Sequence, residues 1–159
     1  RVVLDSVYDA LRAAVGSQDT DHRLLLGNIK SRLRMVTLYY YAGKYNYLVA
    51  GTSNKSELTI GYFTKYGDSG ADILPISDFV KTEVYELARY LEIPEEIINK
   101  KPTAGLWKDQ TDEGEMGMTY EELDNYILYG KATDIVRDKI DAMHKISEHK
   151  RNVAKRYVR

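Results

Sequence analysis

A stretch near the middle of the chain joins an apolar segment, a glycine and a polar turn that leads to an acidic residue. Residues 47–50 form an apolar run of strand length, and Gly51 lets the backbone turn sharply or approach a ligand. One of the polar residues at 52–54 then caps a helix that carries Glu57. A helix start attracts anions, and an acid beside an anion requires a cation between them. The spacing indicates a metal-bound phosphate, with an ordinary strand-to-helix connection as the alternative.

Further charged residues fall near the ends of the predicted elements. Ligands of an α/β sheet bind outside the carboxyl ends of its strands. Glu57 follows one apolar segment and Lys81 follows another, with a glycine-containing loop between them. By spacing alone these charges could converge on a phosphate and a metal ion, although each is also explained as a solvated surface charge. The set comprises Arg32, Glu57, Lys65, Asp68, Asp72, Lys81 and Lys150.

Several standard catalytic motifs do not occur in this sequence. There is no Gly-x-Gly-x-x-Gly, no Gly-Lys-Ser/Thr and no His-Glu-x-x-His. His144 and His149 are five residues apart, which does not place them on one helical face. The sequence has no cysteine, which excludes thiol chemistry and thiolate metal sites within it and is compatible with a reducing, intracellular setting. No nucleophile-elbow sequence supports a Ser/His/Asp triad.

The hydrophobic pattern alternates between helical and strand-like segments. This alternation predicts an α/β layer with a parallel sheet. Two strands do not make such a sheet, so either further strands escape the pattern or chain outside these residues completes it. Strands are predicted at 47–50 and 73–76. Helices are predicted at 2–15, at 29–41 between Gly27-Asn28 and Gly43, at about 55–62, from a cap at 77–78 to about 92, at 120–129 and from 134 onward.

The segment 100–118 is polar, contains glycines and lacks periodicity. A loop of this length in a compact domain is a lid, a binding loop or disordered, and we expect a mobile lid.

The 159 residues predict one domain over 1–159, with an ordinary hydrophobic fraction of 43%. The net charge of −1 gives no electrostatic case for nucleic acid. No apolar run approaches the ~20 residues of a membrane span, so we expect no membrane partner.

Five short segments together closely resemble the NAD synthetase family, and most of all its ammonia-dependent form. The resemblance runs from about Gly27 to the end of the chain and is specific in combination. The segments are GNIKSRLRM (27–35), GTSNKSE (51–57), YFTKYGDSGAD (62–72), KTEV (81–84) and KPTAGLW (101–107).

The resemblance implies a fold and an activity. The implied fold is α/β: a Rossmann-like parallel sheet with flanking helices, of the ATP-pyrophosphatase type, in a cytoplasmic homodimer. The implied enzyme is a ligase that makes NAD from deamido-NAD, ATP and ammonia. ATP adenylylates the nicotinate carboxylate, pyrophosphate leaves, and ammonia displaces AMP. No protein nucleophile is required, which agrees with the absence of a cysteine or a recognisable triad.

The resemblance also implies roles for individual residues, carried over by motif. Lys81 and Asp68 are the expected catalytic residues, because Lys81 lies at the ATP phosphates and Asp68 at the ammonia site. The implied metal is Mg²⁺, whose preference for carboxylate and phosphate oxygens fits these residue types. The roles are Glu57 for Mg²⁺; Thr52, Lys81 and Thr103 for ATP; and Arg32, Lys65, Asp72, His149 and Lys150 for deamido-NAD.

One family motif is missing from the sequence. The Ser-Gly-Gly-x-Asp-Ser loop, which in the family holds pyrophosphate and another Mg²⁺ ligand, is not found. We expect it before Arg1, together with the first strands. The chain as given is therefore expected to correspond to the C-terminal part of the enzyme and to be incomplete for catalysis.

Two rival functions remain. One is another enzyme of the ATP-pyrophosphatase group, such as a GMP synthetase-like or tRNA-modifying enzyme, against which the segments at Arg32 and at 65–72 argue. The other is a nucleic-acid or protein-binding module, suggested by basic residues between 145 and 159. Steep salt dependence of RNA binding would support the module. Whether ammonia is free or delivered by a glutaminase is left open by the sequence.

Overall fold

The computed structural model describes residues 1–16 and 22–157, and regular secondary structure in this part of the chain is helical. Residues 17–21 and 158–159, which the single-domain prediction also includes, lie outside the described part. No helix among the described residues is both long and apolar enough to cross a membrane. The helices are α1 (Asp5–Ala14), α2 (Arg23–Tyr45), α3 (Lys55–Ile60), α4 (Lys81–Tyr90), α5 (Glu95–Ile98), α6 (Asp112–Met116), α7 (Tyr120–Tyr129), α8 (Asp134–Ile146) and α9 (Glu148–Arg151).

The two predicted strands meet as a single parallel bridge between Ala50 and Ile73. Gly51 N donates to Ile73 O, and Asp72 N donates to Val49 O, each at 2.9 Å. The Val49 amide donates to the Asp72 carboxylate at 2.7 Å, so a side chain takes the place of a neighbouring strand's carbonyl. The pairing and its direction agree with the prediction, but its length does not. Within the described residues, this bridge is all that represents the predicted sheet.

Three predicted helix starts are confirmed by their caps. Asn54 Oδ1 accepts from Glu57 N at 2.9 Å, and Glu57 Oε2 accepts from Asn54 N at 3.2 Å, which forms a capping box at α3. Thr119 and Glu122 form the same arrangement at α7. The Thr133 side chain caps α8. Because each cap involves residues at most three positions apart, local sequence is sufficient to predict it.

Helix α2 is longer than predicted at both ends, because the glycines taken as its boundaries lie inside it. Gly27 brings the helix close to another segment: a Cβ there would lie 3.1 Å from Leu106 Cδ1 and 3.1 Å from Trp107 Cζ3. Gly43 stays helical at a cost of about 1 kcal/mol relative to alanine. The helix ends instead at Asn46, which has a left-handed φ of 55°.

Helix α4 starts later than predicted, and the cap placed at 77–78 is wrong. The N-cap residue is Val80, whose amide donates to Glu83 Oε2 at 2.8 Å. The amide of Thr82 donates to Asp124 Oδ2, also at 2.8 Å. Because Asp124 belongs to α7, this part of the cap is supplied by a distant segment that local sequence does not reveal.

The main buried cluster lies among α3, α6, α7 and α8. It takes in the end of the segment predicted as a loop at 100–118, since Met116 of the helix α6 and Met118, just after that helix, both pack in the cluster. Residues 100–111 of that segment are non-helical, as are Gly117 and Met118 after α6, and the mobility of the segment stays a prediction. The cluster consists of Ile60, Met116, Met118, Tyr120, Leu123 and Ile140.

Candidate functional site

An ion pair between Glu57 and Lys81 forms the centre of the candidate site. Lys81 Nζ lies 3.5 Å from Glu57 Oε1, and each side chain is only 18% exposed. Glu57 Oε2 accepts from the Asn54 amide in the capping box, so Oε1 is the oxygen that contacts Lys81. Burial raises the pKa of the Glu57 carboxyl above its ordinary value, and the charge of Lys81 acts in the opposite direction. A largely desolvated carboxylate and ammonium are thus held side by side.

The start of α4, which carries Lys81, is fixed by residues from two other helices. The Lys81 amide donates to Ser56 Oγ at 2.9 Å, and the Ser56 hydroxyl donates to Asp124 Oδ1. Asp124 is 2% exposed and accepts from the Thr82 amide with its other oxygen. A carboxylate at a helix N-terminus is favoured by the helix dipole. Because Ser56 precedes Glu57 in the chain, the same contacts that fix Lys81 also fix Glu57.

A second group, two tyrosines around the buried Asp112, lies directly against this pair. Tyr120 OH donates to Asp112 Oδ2 at 2.9 Å, and Tyr62 OH lies 3.3 Å from Asp112 Oδ1. Burial, together with the charges of Glu57 and Asp112, raises the pKa of Tyr120. Burial, together with the nearby carboxylates, likewise raises the pKa of Tyr62. Both phenols therefore stay protonated and act as hydrogen-bond donors.

An open cavity of about 1060 Å³ borders the ion pair. This volume is in the range of pockets that hold small molecules and cofactors. Seven of the residues proposed from the sequence line it, whereas Arg32, Lys65 and Asp72 are not among its lining residues. The seven are Thr52, Glu57, Asp68, Lys81, Thr103, His149 and Lys150.

The loop at 64–70 is held onto α2 by polar contacts. Asp68 Oδ1 accepts from Ser31 Oγ at 2.8 Å and from Thr64 N at 2.9 Å. The Arg32 guanidinium donates to Lys65 O through Nε at 3.3 Å and through Nη2 at 3.2 Å. Arg32 thus fixes the backbone beside Lys65 in this structure.

Helix α9 and the end of α3 are joined by lysine contacts. Lys150 Nζ donates to Gly61 O and to Phe63 O, each at 2.8 Å. Burial lowers the pKa of the Lys150 amine, and the nearby charge of Asp68 partly opposes this shift. Lys65 Nζ donates to His149 O. The structure therefore brings Lys65, His149 and Lys150 together, but both lysine amines are occupied by backbone carbonyls.

Asp72 is also engaged within the protein. Its Oδ1 accepts from Tyr39 OH at 3.1 Å, and its Oδ2 accepts from the Val49 amide at 2.7 Å. Its carboxylate therefore supports the bridge between the two strand-like segments.

The segment around Thr103 docks on α2 through side chains that donate to its backbone. Lys30 Nζ donates to Leu106 O at 2.6 Å. Arg34 donates to Ala104 O and Gly105 O, each at 3.4 Å. Thr103 Oγ1 accepts from Gly105 N at 3.1 Å. Arg32 therefore holds the 64–70 loop, whereas Arg34 holds this segment.

Sequence reasoning missed five residues of this region: Lys30, Ser56, Asp112, Tyr120 and Asp124. A signal existed for Asp124, since it lies beside Leu123 on the face of α7 that also carries Tyr120. An acidic residue beside such an apolar stripe requires buried partners. No such signal exists for the other four, because they make contacts that join segments lying far apart in the chain.

The donor set at Glu57 suits Mg²⁺. Within the described residues, no cluster of three or more histidine and acidic side chains is placed to hold a metal ion by itself. Mg²⁺ is commonly held by one or two carboxylates, with substrate phosphates and water completing its coordination. Glu57 Oε1 offers one such oxygen at the cavity wall, and Lys81 offers a cation for phosphate oxygens. Glu57 therefore fits a metal that arrives with a phosphate ligand.

Comparison with known proteins defines the class first. The family described as NAD synthase matches residues 1–157, and the chain belongs to this family. The NH(3)-dependent NAD(+) synthetase of Carboxydothermus hydrogenoformans is 54% identical over 155 residues, covering 96% of this chain and 63% of the relative. The synthetase of the same name from Syntrophomonas wolfei is 54% identical over 154 residues, covering 94% and 62%. The chain thus spans a little under two thirds of these relatives.

Solved structures agree with the family assignment. The NMN synthetase of Francisella tularensis superimposes with a TM-score of 0.92 at 42% identity, covering 98% of this chain and 65% of that protein. The NAD+ synthetase of Burkholderia pseudomallei gives a TM-score of 0.74 at 36% identity, covering 94% and 58%. The described helices therefore have the arrangement found in NAD synthetase folds.

Proposed function

We propose that the protein carrying this chain is an ammonia-dependent NAD synthetase, a ligase that converts deamido-NAD to NAD at the expense of ATP. The nicotinate carboxylate attacks the α-phosphorus of ATP and releases pyrophosphate, and ammonia then attacks the carbonyl carbon and releases AMP. The observation that carries the proposal is the largely buried Glu57–Lys81 pair at the wall of a cavity large enough for nucleotides. The names of relatives 54% identical to the chain support the choice of reaction.

Each residue of the pair has a task in this proposal. The Glu57 carboxylate would hold Mg²⁺, and the metal would neutralise charge at the ATP phosphates. Lys81 directs its ammonium at the same phosphates and offsets the negative charge that develops on departing pyrophosphate. Thr52 and Thr103 line the cavity and contact ATP through their hydroxyls. The fixed start of α4 keeps the Lys81 backbone in place throughout.

The second substrate is assigned to the region around the 64–70 loop and α9. We assign deamido-NAD contacts to Arg32, Lys65, Asp72, His149 and Lys150, and the ammonia site to Asp68. Lys65 and Lys150 donate to backbone carbonyls in the structure, and Asp72 accepts from Tyr39 and Val49. Binding of the dinucleotide therefore requires these side chains to exchange or share their partners. The segment 100–118 is assigned as a lid over the cavity that orders on substrate.

The proposal extends to the fold and assembly of the whole protein. The parallel bridge between Ala50 and Ile73 belongs to a Rossmann-like parallel sheet in an α/β fold, and the enzyme is a cytoplasmic homodimer. A row of exposed or half-exposed aromatic rings near the end of α2 supports self-association, because neighbouring rings contact one another and leave an apolar surface. The row consists of Tyr40, Tyr41, Tyr45 and Tyr47.

A second candidate substrate is nicotinate mononucleotide, whose amidation gives NMN. The observation that favours it is the TM-score of 0.92 with a protein described as an NMN synthetase, against 0.74 for the NAD+ synthetase from Burkholderia pseudomallei. Both reactions act on a nicotinate carboxylate, so the same Glu57–Lys81 chemistry serves either. The two substrates differ only in the adenylate half that the dinucleotide carries.

The test is a direct assay of the purified full-length protein. It is incubated with ATP, Mg²⁺ and ammonia together with deamido-NAD or nicotinate mononucleotide, and AMP, pyrophosphate and the amide product are quantified. We expect AMP and amide in equal amounts, with a higher kcat/KM for deamido-NAD. A higher kcat/KM for nicotinate mononucleotide would establish the second candidate. Formation of ADP instead of AMP, or no amide from either acid, would refute the proposed reaction.

A further inference from the structure

Lys81 has two neighbours of different kinds in the structure. Its Nζ lies 3.5 Å from Glu57 Oε1 and 4.9 Å from the centroid of the Tyr120 ring. The contact with Glu57 uses a carboxylate oxygen that the proposed function assigns to Mg²⁺. The contact with Tyr120 is made with the π face of the ring. The ring attracts the ammonium electrostatically and does not require a particular N–H group of Lys81 to donate to it. When Glu57 turns to a metal, the ring therefore remains as a partner that leaves the ammonium free to donate.

Tyr120 is held firmly enough to serve as a fixed surface. The residue is 4% exposed and packs in the cluster that contains Met116 and Leu123. It is the first residue of α7, directly after the Thr119 cap. Its hydroxyl donates to Asp112 at 2.9 Å, which fixes the far end of the ring. A ring restrained at both ends presents the same face to Lys81 whether or not a ligand is present.

We propose that Tyr120 is a positioning residue for Lys81, whose ring holds the ammonium at the cavity wall so that it meets the ATP phosphates when Glu57 binds the metal. This inference rests on the proposed function of Lys81. The ring is the part that acts, because the Tyr120 hydroxyl lies 3.5 Å from Glu57 Oε1, at the limit of a hydrogen bond. Removing the hydroxyl and removing the ring therefore have different consequences.

The experiment compares two substitutions of Tyr120 with a matched control in the full-length protein. Tyr120→Phe keeps the ring, and Tyr120→Leu removes it. Tyr126→Leu is the control, because Tyr126 lies on the same helix, packs against the same cluster and donates to a carboxylate, Asp141, on its exposed side. Each variant is assayed for the ATP half-reaction, with kcat and KM separated, and for thermal unfolding. The acylation rate of Lys81 by acetic anhydride, read by mass spectrometry, reports on the amine without any substrate.

We expect Tyr120→Leu to lower kcat/KM for the ATP half-reaction about tenfold, since a partly desolvated cation–π contact is of that size. We expect its Lys81 to be acylated faster, while Tyr126→Leu stays within about twofold of the wild type in both measurements. Tyr120→Phe keeps the ring but loses the bond to Asp112, so its loss should be smaller than that of Tyr120→Leu. Unchanged kinetics and acylation in folded Tyr120→Leu would overturn the proposal. So would an equal loss in Tyr120→Phe, which would assign the effect to the hydroxyl.

The acylation measurement separates this proposal from the proposed function. If the wild type forms no AMP from either acid, the proposed function fails, yet faster Lys81 acylation in Tyr120→Leu alone still supports positioning by the ring. If the wild type is active and Lys81 acylation is the same in all variants, positioning by Tyr120 fails and the proposed function stands.

Discussion

Two regions of this molecule hold their charged side chains in different ways. We call the first region the junction. Most of its contacts join buried side chains to one another or to a helix start. The junction consists of Ser56, Glu57, Lys81, Tyr120 and Asp124. In the second, the α2 anchors Lys30, Arg32 and Arg34 donate to backbone carbonyls of two loops, mostly at exposed positions. Buried polar contacts are costly to break, whereas exposed ones compete with water.

The difference separates the two substrates of the proposed reaction. The junction presents Glu57 and Lys81 to the cavity with their backbones fixed, so it is organised before ATP arrives. The loops carry residues assigned to deamido-NAD, and Lys65 donates there to a backbone carbonyl that the substrate would have to replace. Under the proposed function, the junction would set the geometry for phosphate chemistry, and the anchored loops would adapt to the second substrate.

The largest effect is expected from Asp124→Ala, which breaks the junction at its buried carboxylate. The change leaves the Thr82 amide and the Ser56 hydroxyl without their acceptor, at a cost of about 3 kcal/mol in the free energy of unfolding. Urea denaturation measures the loss, and Asp124→Asn should recover part of it. Asp141→Ala is the control, because that carboxylate accepts from Tyr126 at an exposed position. Equal losses in the two alanine variants would contradict the comparison.

The next effect concerns catalysis alone. Lys81→Ala removes the ammonium but keeps the α4 backbone amide that Ser56 accepts from. We expect the ATP half-reaction to slow about 10²-fold or more, as when an oxyanion donor is lost. Rapid-quench measurement of AMP formation gives the rate. A rate equal to that of the wild type would remove Lys81 from the mechanism.

Glu57→Gln tests the carboxylate through both activity and stability. Glutamine keeps the capping box but binds Mg²⁺ poorly, so the Mg²⁺ concentration at half-maximal rate should rise about tenfold. Because the pKa of Glu57 is raised in the fold from its ordinary value of 4.5, its contribution to stability is present below pH 4.5 and lost as pH rises through the folded pKa. Glu57→Gln should therefore be at least as stable as the wild type at pH 7.

The same shift predicts the acid limb of the activity. At limiting Mg²⁺, where most Glu57 is free of metal, wild-type turnover should fall as pH decreases through the raised pKa of Glu57, since protonation removes the metal ligand. Thermal unfolding and turnover at limiting Mg²⁺, both recorded between pH 4 and 8, check these statements. Unchanged Mg²⁺ dependence in Glu57→Gln would exclude it as a ligand.

The smallest effect is expected at the α2 anchors. Changing Lys30 and Arg34 together to methionine removes the side-chain donors to residues 104–106, and cleavage of that segment in limited proteolysis should speed up about threefold to tenfold. Lys139→Met is the control, because Lys139 also donates to a carbonyl, that of Gly117, at 3.1 Å. ATP with deamido-NAD should slow the cleavage in the wild type. Indifference to both substrates would refute the lid.

Helix caps and boundaries that depend on residues close together in the chain are predicted by the sequence. Those that depend on contacts between distant segments are not. The caps at Asn54, Thr119 and Thr133 can be predicted from the sequence, because each joins residues within one turn. The part of the α4 cap that Asp124 supplies from α7 cannot be predicted in this way. The sequence predicts Gly27 as a boundary of α2, because the packing of Leu106 and Trp107 against this glycine is visible only in the structure.

The same distinction applies to the candidate site. The resemblance carried over Glu57 and Lys81, and the structure places them 3.5 Å apart at the cavity wall. It could not carry over Tyr120, because a ring beneath a lysine leaves no short motif in the sequence. It also gave no indication that Asp72 and Lys150 have partners within the protein, since those partners are a distant tyrosine and backbone groups.

The central claim is that the nicotinate carboxylate is adenylylated, and the fate of its oxygen atoms tests this most directly. Deamido-NAD labelled with ¹⁸O in that carboxylate is turned over by the full-length protein with ATP, Mg²⁺ and ammonia, and the products are analysed by mass spectrometry. The account predicts one ¹⁸O atom in the phosphoryl group of AMP and the other in the amide of NAD. Unlabelled AMP, or label in inorganic phosphate formed together with ADP, would contradict it.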